Sequence, residues 1–212
     1  MSLATPTPKA WPTSLPNVIT VTSPRLVLRT STLDDSPALC DILSDPQTMV
    51  HLKSMLKDYT VAEMDARTIE RVERQHRSLQ IPLTVFHNDE VIGTSGFRDI
   101  DLVKRTAEWG TILRADTQGR GFGQELLWVL LKYAFEELGI ESVIIVTAGA
   151  NVPMRRVVEN LGIKQAKPDT LGMPGGPGDT LEEPVCYQTT TSEWPVLKKT
   201  LERKLERWIG TL

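Results

Sequence analysis

Hydrophobic and polar positions alternate around Leu26 and Leu28, which are flanked by Arg25, Val27 and Arg29, and this period of two predicts a strand within VITVTSPRLVLRT. Ala38, Leu39, Ile42 and Leu43 then recur at helical spacing. Thr32-Leu-Asp-Asp35 opens that helix as a capping box with Asp in place of Glu, and Asp45-Pro46 ends it. A second capping box, Thr60-Val-Ala-Glu63, leads into a strongly charged helix over 61–79. Pro82–His87 reads as a strand, Asn88-Asp89 as a turn and Val91-Ile92-Gly93 as the start of the returning strand. A polar turn at 100–106 precedes a third strand, AEWGTILR, and three successive antiparallel strands are the simplest arrangement.

The period then lengthens. Leu126, Leu127, Leu130, Tyr133, Ala134 and Leu138 recur at helical spacing, so Gly123–Leu138 is a helix that Gly139 closes. Ser142-Val-Ile-Ile-Val-Thr147 is a β-branched run, read as a buried strand. Asn151 starts a further helix that turns Val157, Val158 and Leu161 inward and ends at Gly162. Thr191–Ile209 is the last helix; Trp194, Leu197, Leu201, Leu205 and Trp208 form an apolar stripe that packs on the domain. Residues 167–184 hold four prolines and four glycines, a loop long enough to be either mobile or functional. Four prolines among the first sixteen residues make 1–20 an extended, flexible arm, and 21–212 a single domain.

Composition narrows the class without choosing a function. A formal net charge of −3 gives no basic footprint for nucleic acid, and no nucleic-acid motif is present. The two cysteines, Cys40 and Cys186, match no metal or redox spacing, so no metal is expected. The apolar runs fall short of the roughly 18–20 residues of a membrane span, and the N-terminus lacks the apolar core of a secretory signal. The expectation is a soluble cytoplasmic protein, monomer or homodimer.

Candidate chemistry sits in Gln118–Glu125, QGRGFGQE. Three glycines in five positions allow a turn with positive φ and close approach of a ligand to the backbone. The helix that follows begins with unpaired N–H groups and a partial positive charge, which suits a phosphate. GxxxxGK[ST] is absent, which disfavours a nucleoside-triphosphate loop, and Gly119-Arg-Gly-Phe-Gly123 is not the dinucleotide fingerprint. A ligand-free strand-to-helix turn is the other reading of the loop taken alone.

Gln118-x-x-Gly121-x-Gly123 resembles the [QR]-x-x-G-x-[GA] signature of the GNAT superfamily of acetyl-CoA-dependent N-acetyltransferases. The stretch from Ala107 to Lys164 is similar to that family from its central strand to its last motif, with Asn151 and Val157-Val-Glu-Asn-Leu-Gly162 standing for the N…LGF segment. PRLVLRTSTLDD and the late Tyr187…Glu193-Trp194 resemble the branch that acetylates ribosomal-protein N-termini and small amines. The resemblance covers nearly all of 23–205. It implies an α/β (α+β) GNAT fold: a mixed, mostly antiparallel sheet of six to seven strands, flanked by helices and splayed between its central strands.

The same resemblance assigns roles. Backbone N–H groups of Gln118, Gly119, Arg120, Gly121, Phe122, Gly123 and Gln124 would grip the pyrophosphate of acetyl-CoA. Ile112, Leu113 and Arg114 would pair with pantetheine as an added strand. The Leu113 amide would polarise the thioester carbonyl. Asn151, with Met154 and Arg155 beside it, would meet the pantetheine arm, Asn151 also being a plain helix cap. Acetyl transfer to a primary amine needs a base at the acyl end of the strand. Glu108 is the candidate, its other reading being an ion pair with Arg105 or another cation across the sheet. His51 and Trp109 are the candidate acceptor residues, near Leu52, Met55 and the 167–184 loop; the small acidic excess fits a cationic amine. Val158 stands where many members carry a tyrosine that protonates the leaving thiolate, with Tyr133 and Tyr187 as possible substitutes. That departure favours the alternative, a catalytically weak or inactive CoA-binding sensor or scaffold.

Overall fold

The computed structural model describes residues 14–167 and 183–210. Its strands are β1 (Thr20–Thr22), β2 (Val27–Thr30), β3 (Ile81–His87), β4 (Glu90–Asp101), β5 (Thr106–Leu113), β6 (Ser142–Ala148), β7 (Lys164–Ala166) and β8 (Pro184–Thr190). They form one sheet in the order β1-β2-β3-β4-β5-β6-β8-β7. Eight strands slightly exceed the six to seven that the resemblance implies; two of them, β1 and β7, have three residues each. Every neighbouring pair is antiparallel except β5–β6, which is parallel. The helices are α1 (Ser36–Ser44), α2 (Val61–His76), α3 (Phe122–Lys132), α4 (Val152–Glu159) and α5 (Trp194–Ile209).

Local signals set these boundaries. Thr60 caps α2 reciprocally with Glu63: the Glu63 N–H donates to Thr60 Oγ1 at 3.2 Å, and the Thr60 N–H donates to Glu63 Oε2 at 2.9 Å. Asn88 and Asp89 both have positive φ, 51° and 62°, the backbone that joins β3 to β4 in a tight hairpin. α2 stops at His76, before the expected 79, and Ser78 follows with φ 59°.

Two cores flank the sheet. α3 is buried almost all round, from Leu126 to Leu131, because it is sandwiched between the sheet and Leu197, Leu201 and Leu205 of α5. The chain then widens to a π-helical turn over Tyr133–Leu138 and ends at Gly139. On the other face a smaller cluster of Leu39, Cys40, Leu43, Met49 and Met64 packs α1 and α2 against the sheet, with Ile112 of β5 at its edge. The last residue of the α5 stripe, Trp208, is 47% exposed and lies against Gly121 instead of in the core.

The N-terminal arm is shorter than its proline content suggests. Leu15 and Ile19 are buried. The Leu15 N–H donates to Ser78 Oγ at 3.0 Å, and the Gln75 amide donates to the carbonyls of Pro16 and Asn17 at 2.7 and 3.2 Å. Residues 14–20 therefore belong to the domain. Residues 1–13 and most of the Gly/Pro-rich 167–184 segment lie outside the described residues.

Candidate acyl-transfer site

The parallel ladder between β5 and β6 lasts only from Thr106–Trp109 to Ser142–Ile145. β5 runs on to Leu113 and β6 to Ala148 without pairing each other, so a gap opens between them. The phase of β5 decides which amides face it. The Arg114 N–H donates to the Ile92 carbonyl at 2.9 Å. Antiparallel pairs alternate between bonded and non-bonded, so Ile112, opposite Thr94, also spends its amide on β4. Thr111 and Leu113 therefore turn their N–H groups away from β4, towards the gap. The expectation that Ile112 and Arg114 offer backbone donors is corrected: Leu113 does, and its companion is Thr111. Arg114 is held instead by Glu90 and Asp116, each at 2.7 Å.

At the mouth of the gap the glycine turn meets α3. Gly121, the residue before the helix, has φ 81°, which only glycine adopts without strain. The first helical bond recorded runs from the Glu125 N–H to the Gly121 carbonyl at 3.1 Å, and no side chain caps the helix. The N–H groups of Phe122, Gly123 and Gln124 are left as the open donors of a helix start. The Phe122 ring is buried in the main core, so only its backbone faces a ligand. The Gln118 side chain donates to the Leu113 carbonyl at 3.0 Å, which ties the turn to the strand. Trp208 closes one side: a Cβ at Gly121 would lie 2.8 Å from its ring atoms.

Sequence reasoning missed the clamp beneath this turn. Glu125 has a fully buried side chain in the first turn of α3. It accepts from Ser23 Oγ at 2.7 Å, from the Arg25 N–H at 2.9 Å and from Arg25 Nε at 2.7 Å. Arg25 also donates to the Arg120 carbonyl at 3.1 Å and lies 4.4 Å from the Phe122 ring centroid. A carboxylate in an otherwise apolar helix was the visible signal. Removing one partner of a buried pair leaves the other charge uncompensated. Glu125→Ala is therefore expected to lower stability by about 3–5 kcal/mol, read as a fall in the urea midpoint at unchanged m-value.

A cavity of about 190 Å³ opens on the α1/α2 side of the gap. Glu108 lines it with a side chain only 2% exposed. Its partner across the sheet is Arg98, in register with it on β4: Arg98 Nε donates to Glu108 Oε1 at 2.8 Å, and Nη2 reaches the same oxygen. Glu108 Oε2 has no hydrogen-bond partner among the described residues. Burial pushes the Glu108 carboxyl above the usual range, and Arg98 opposes this. The ion-pair reading is met with Arg98 as the cation, and it occupies one oxygen of the carboxylate. Arg105 is engaged elsewhere, with Glu141 at 2.8 Å.

The remaining candidates divide. Ile112, Trp109, Asn151 and Met154 line the cavity, as do Leu52 and Met55, while His51 does not. Trp109 is at the same time 1% exposed and part of the main core. Asn151 caps α4, accepting from the Met154 N–H at 3.2 Å, and donates to Thr147 Oγ1 at 3.0 Å. Arg155 stands outside the cavity, with its donors on the Gly149 carbonyl and Tyr187. Val158 is fully buried. Neither Tyr133 nor Tyr187 is a lining residue; Tyr187 donates to Glu159 at 2.6 Å. Arg67 and Arg71, one turn apart on α2, line the cavity and were not foreseen.

A sheet that parts beside its central strand, with a helix start at the mouth of the gap, is the architecture of an acetyltransferase. The model of the acetyltransferase (GNAT) domain matches residues 25–164, and this chain belongs to that family. Among its relatives is an uncharacterized N-acetyltransferase, p20, of Bacillus licheniformis, 28% identical over 147 residues, covering 69% of this chain and 83% of that protein. In fold it is similar to a GCN5-related N-acetyltransferase from Brucella melitensis, with TM-score 0.72 and 17% identity over 87% of this chain and 84% of that one. It is similar also to Mycobacterium smegmatis RimJ in complex with CoA-disulfide, with TM-score 0.70 and 14% identity over 88% and 94%. Among the described residues no helix is long and apolar enough to cross a membrane.

Proposed function

We propose that this protein transfers the acetyl group of acetyl-CoA to a primary amine by direct attack on the thioester. The observation that carries the reading is one cavity lined both by Glu108, whose buried Oε2 has no partner among the described residues, and by Thr111, whose N–H is turned away from β4 towards the gap. The complex of RimJ with a CoA species supports the donor. The open N–H groups of α3 suit the pyrophosphate, with Arg25 and Arg120 as nearby cations.

The chemistry then divides among named groups. An ammonium cannot attack, so its proton passes to Glu108, directly or through water. The freed nitrogen lone pair forms the N–C bond while a gap-facing N–H of β5, that of Thr111 or of Leu113, receives the growing charge on the carbonyl oxygen. The C–S bond breaks and the thiolate leaves. A thiol with a pKa near ~8.5 can depart unprotonated, which suits a chain that has Val158 where the resemblance would place an acid. The second reading, a CoA-binding protein without turnover, rests on that same residue.

Free-thiol release from acetyl-CoA, measured with purified protein against paired small amines and short peptides, tests the proposal. Acceptor-dependent release is the expected result. Tight acetyl-CoA binding with no release from any acceptor would establish the non-catalytic reading.

A further inference from the structure

The cavity beside Glu108 carries more positive charge than its own carboxylate can neutralise. Arg98 spends its guanidinium on Glu108. Arg67 and Arg71 line the same space from α2, on the helix face opposite the sheet positions of Arg98 and Glu108. Among the described residues neither makes a salt bridge or a hydrogen bond. Arg67 Nε is buried without an acceptor, and its guanidinium otherwise only approaches the Tyr59 ring, at 6.0 Å. Arg71 is half-buried. Burial, and then the charges of Arg67, Arg98 and Arg74, bring its pKa down to about 10; Glu70 offsets this in part. Arg74 has its own carboxylate, Asp99, at 3.5 Å.

Cations gathered away from water are costly unless an anion answers them. Among the described residues that line the cavity, one carboxylate, Glu108, stands against three guanidinium groups, those of Arg67, Arg71 and Arg98. Two forks of N–H donors are left facing the space where an acceptor would sit, and planar forks of this kind match carboxylate and phosphonate oxygens.

We infer that the acceptor is a small amine that also carries an anionic group, a carboxylate or phosphonate, held by Arg67 and Arg71 while its amine faces Glu108. This rests on the proposed acyl transfer and names its substrate class. It reverses the expectation drawn from the overall charge of −3, because the local field of the cavity is positive. The arrangement also assists the chemistry: cations around the amine favour its neutral form, the one that attacks. The cavity of about 190 Å³ favours a small molecule over a chain.

The test compares matched acceptors: amino acids against their amides, aminoalkylphosphonates against their neutral diesters, and peptides with acidic or neutral first residues. Thiol release and equilibrium binding to the acetyl-CoA-loaded protein are both measured. The expected result is a preference of roughly ten- to hundredfold for the small anionic amines. Arg71→Gln and Arg67→Gln should each raise KM for those amines by roughly tenfold or more. Acetyl-CoA affinity should stay the same, the thermal midpoint of the Gln variants should hold or rise because an unanswered cation is removed, and Arg71→Lys should recover part of the loss in KM. Equal use of neutral and anionic amines, or an unaltered KM in both Gln variants, overturns the inference and leaves the acetyltransferase reading standing. Turnover confined to acidic peptides overturns it as well. Binding of anionic amines without any thiol release supports the anion site and overturns the reading of the reaction.

Discussion

Gly121→Val is expected to abolish acetyl-CoA binding, raising Kd by roughly a hundredfold or more, about 3 kcal/mol. Two costs add at this position. A β-branched residue at φ 81° sits in a region that such side chains avoid, worth about 1–3 kcal/mol. Its Cβ also falls 2.8 Å from Trp208 ring atoms, so the indole or the turn must move. Either movement re-aims the N–H groups of Phe122, Gly123 and Gln124. Gly123 supplies the contrast: a Cβ there meets nothing within 4 Å and its φ is not positive. Gly123→Ala should keep or slightly raise the unfolding midpoint, since alanine favours a helix over glycine by about 0.5–1 kcal/mol. Calorimetric titration with acetyl-CoA and urea unfolding on both variants separate the two cases. Near-normal affinity in Gly121→Val would remove the turn from the donor site.

Glu108→Gln is expected to lower kcat by roughly a hundred- to ten-thousandfold and to leave acetyl-CoA affinity nearly unchanged. The base is active when deprotonated, so kcat/KM should rise with pH through the Glu108 titration. Burial places that limb above the ordinary carboxylate value of ~4.3. Arg98 is the main influence lowering it, so Arg98→Gln should move the limb to higher pH. In Glu108→Gln the limb should vanish. The same shift bears on stability. The folded state holds this proton more tightly than the unfolded one, so the contribution is present at low pH and is lost as pH rises through the folded pKa. A full-rate Glu108→Gln enzyme would mean that water or another group takes the proton.

Much of the site was legible because it depends on local rules. A positive-φ glycine before an apolar helix, a capping asparagine and a carboxylate flanked by Ala107 and Trp109 can each be read from a few neighbouring residues. What escaped depends on partners far away in sequence. The phase of β5, and so the choice of Thr111 and Leu113 over Ile112 and Arg114, is set by its register with β4. Arg67 and Arg71 belong to a helix so charged that its arginines read as solvated; only the packing of α2 over the sheet turns two of them inward. Arg25 looked like one polar position of an alternating strand, and its meeting with Glu125 spans 100 residues. Leu15 and Ile19 were hidden among prolines, although a proline-rich stretch can still lay two side chains into a core.

Four residues of parallel ladder are all that join β5 to β6. The chain before them is a meander from β1 to β5 with α1 and α2; the chain after them brings α3, β6, α4, β7, β8 and α5. The candidate site is therefore a seam between an early and a late half of the molecule. A donor lying along the seam would bond to both margins and resist their separation. Opening there, measured by amide exchange at Thr111 and Leu113, would slow when the donor is bound, and the two halves would then come apart as one unit.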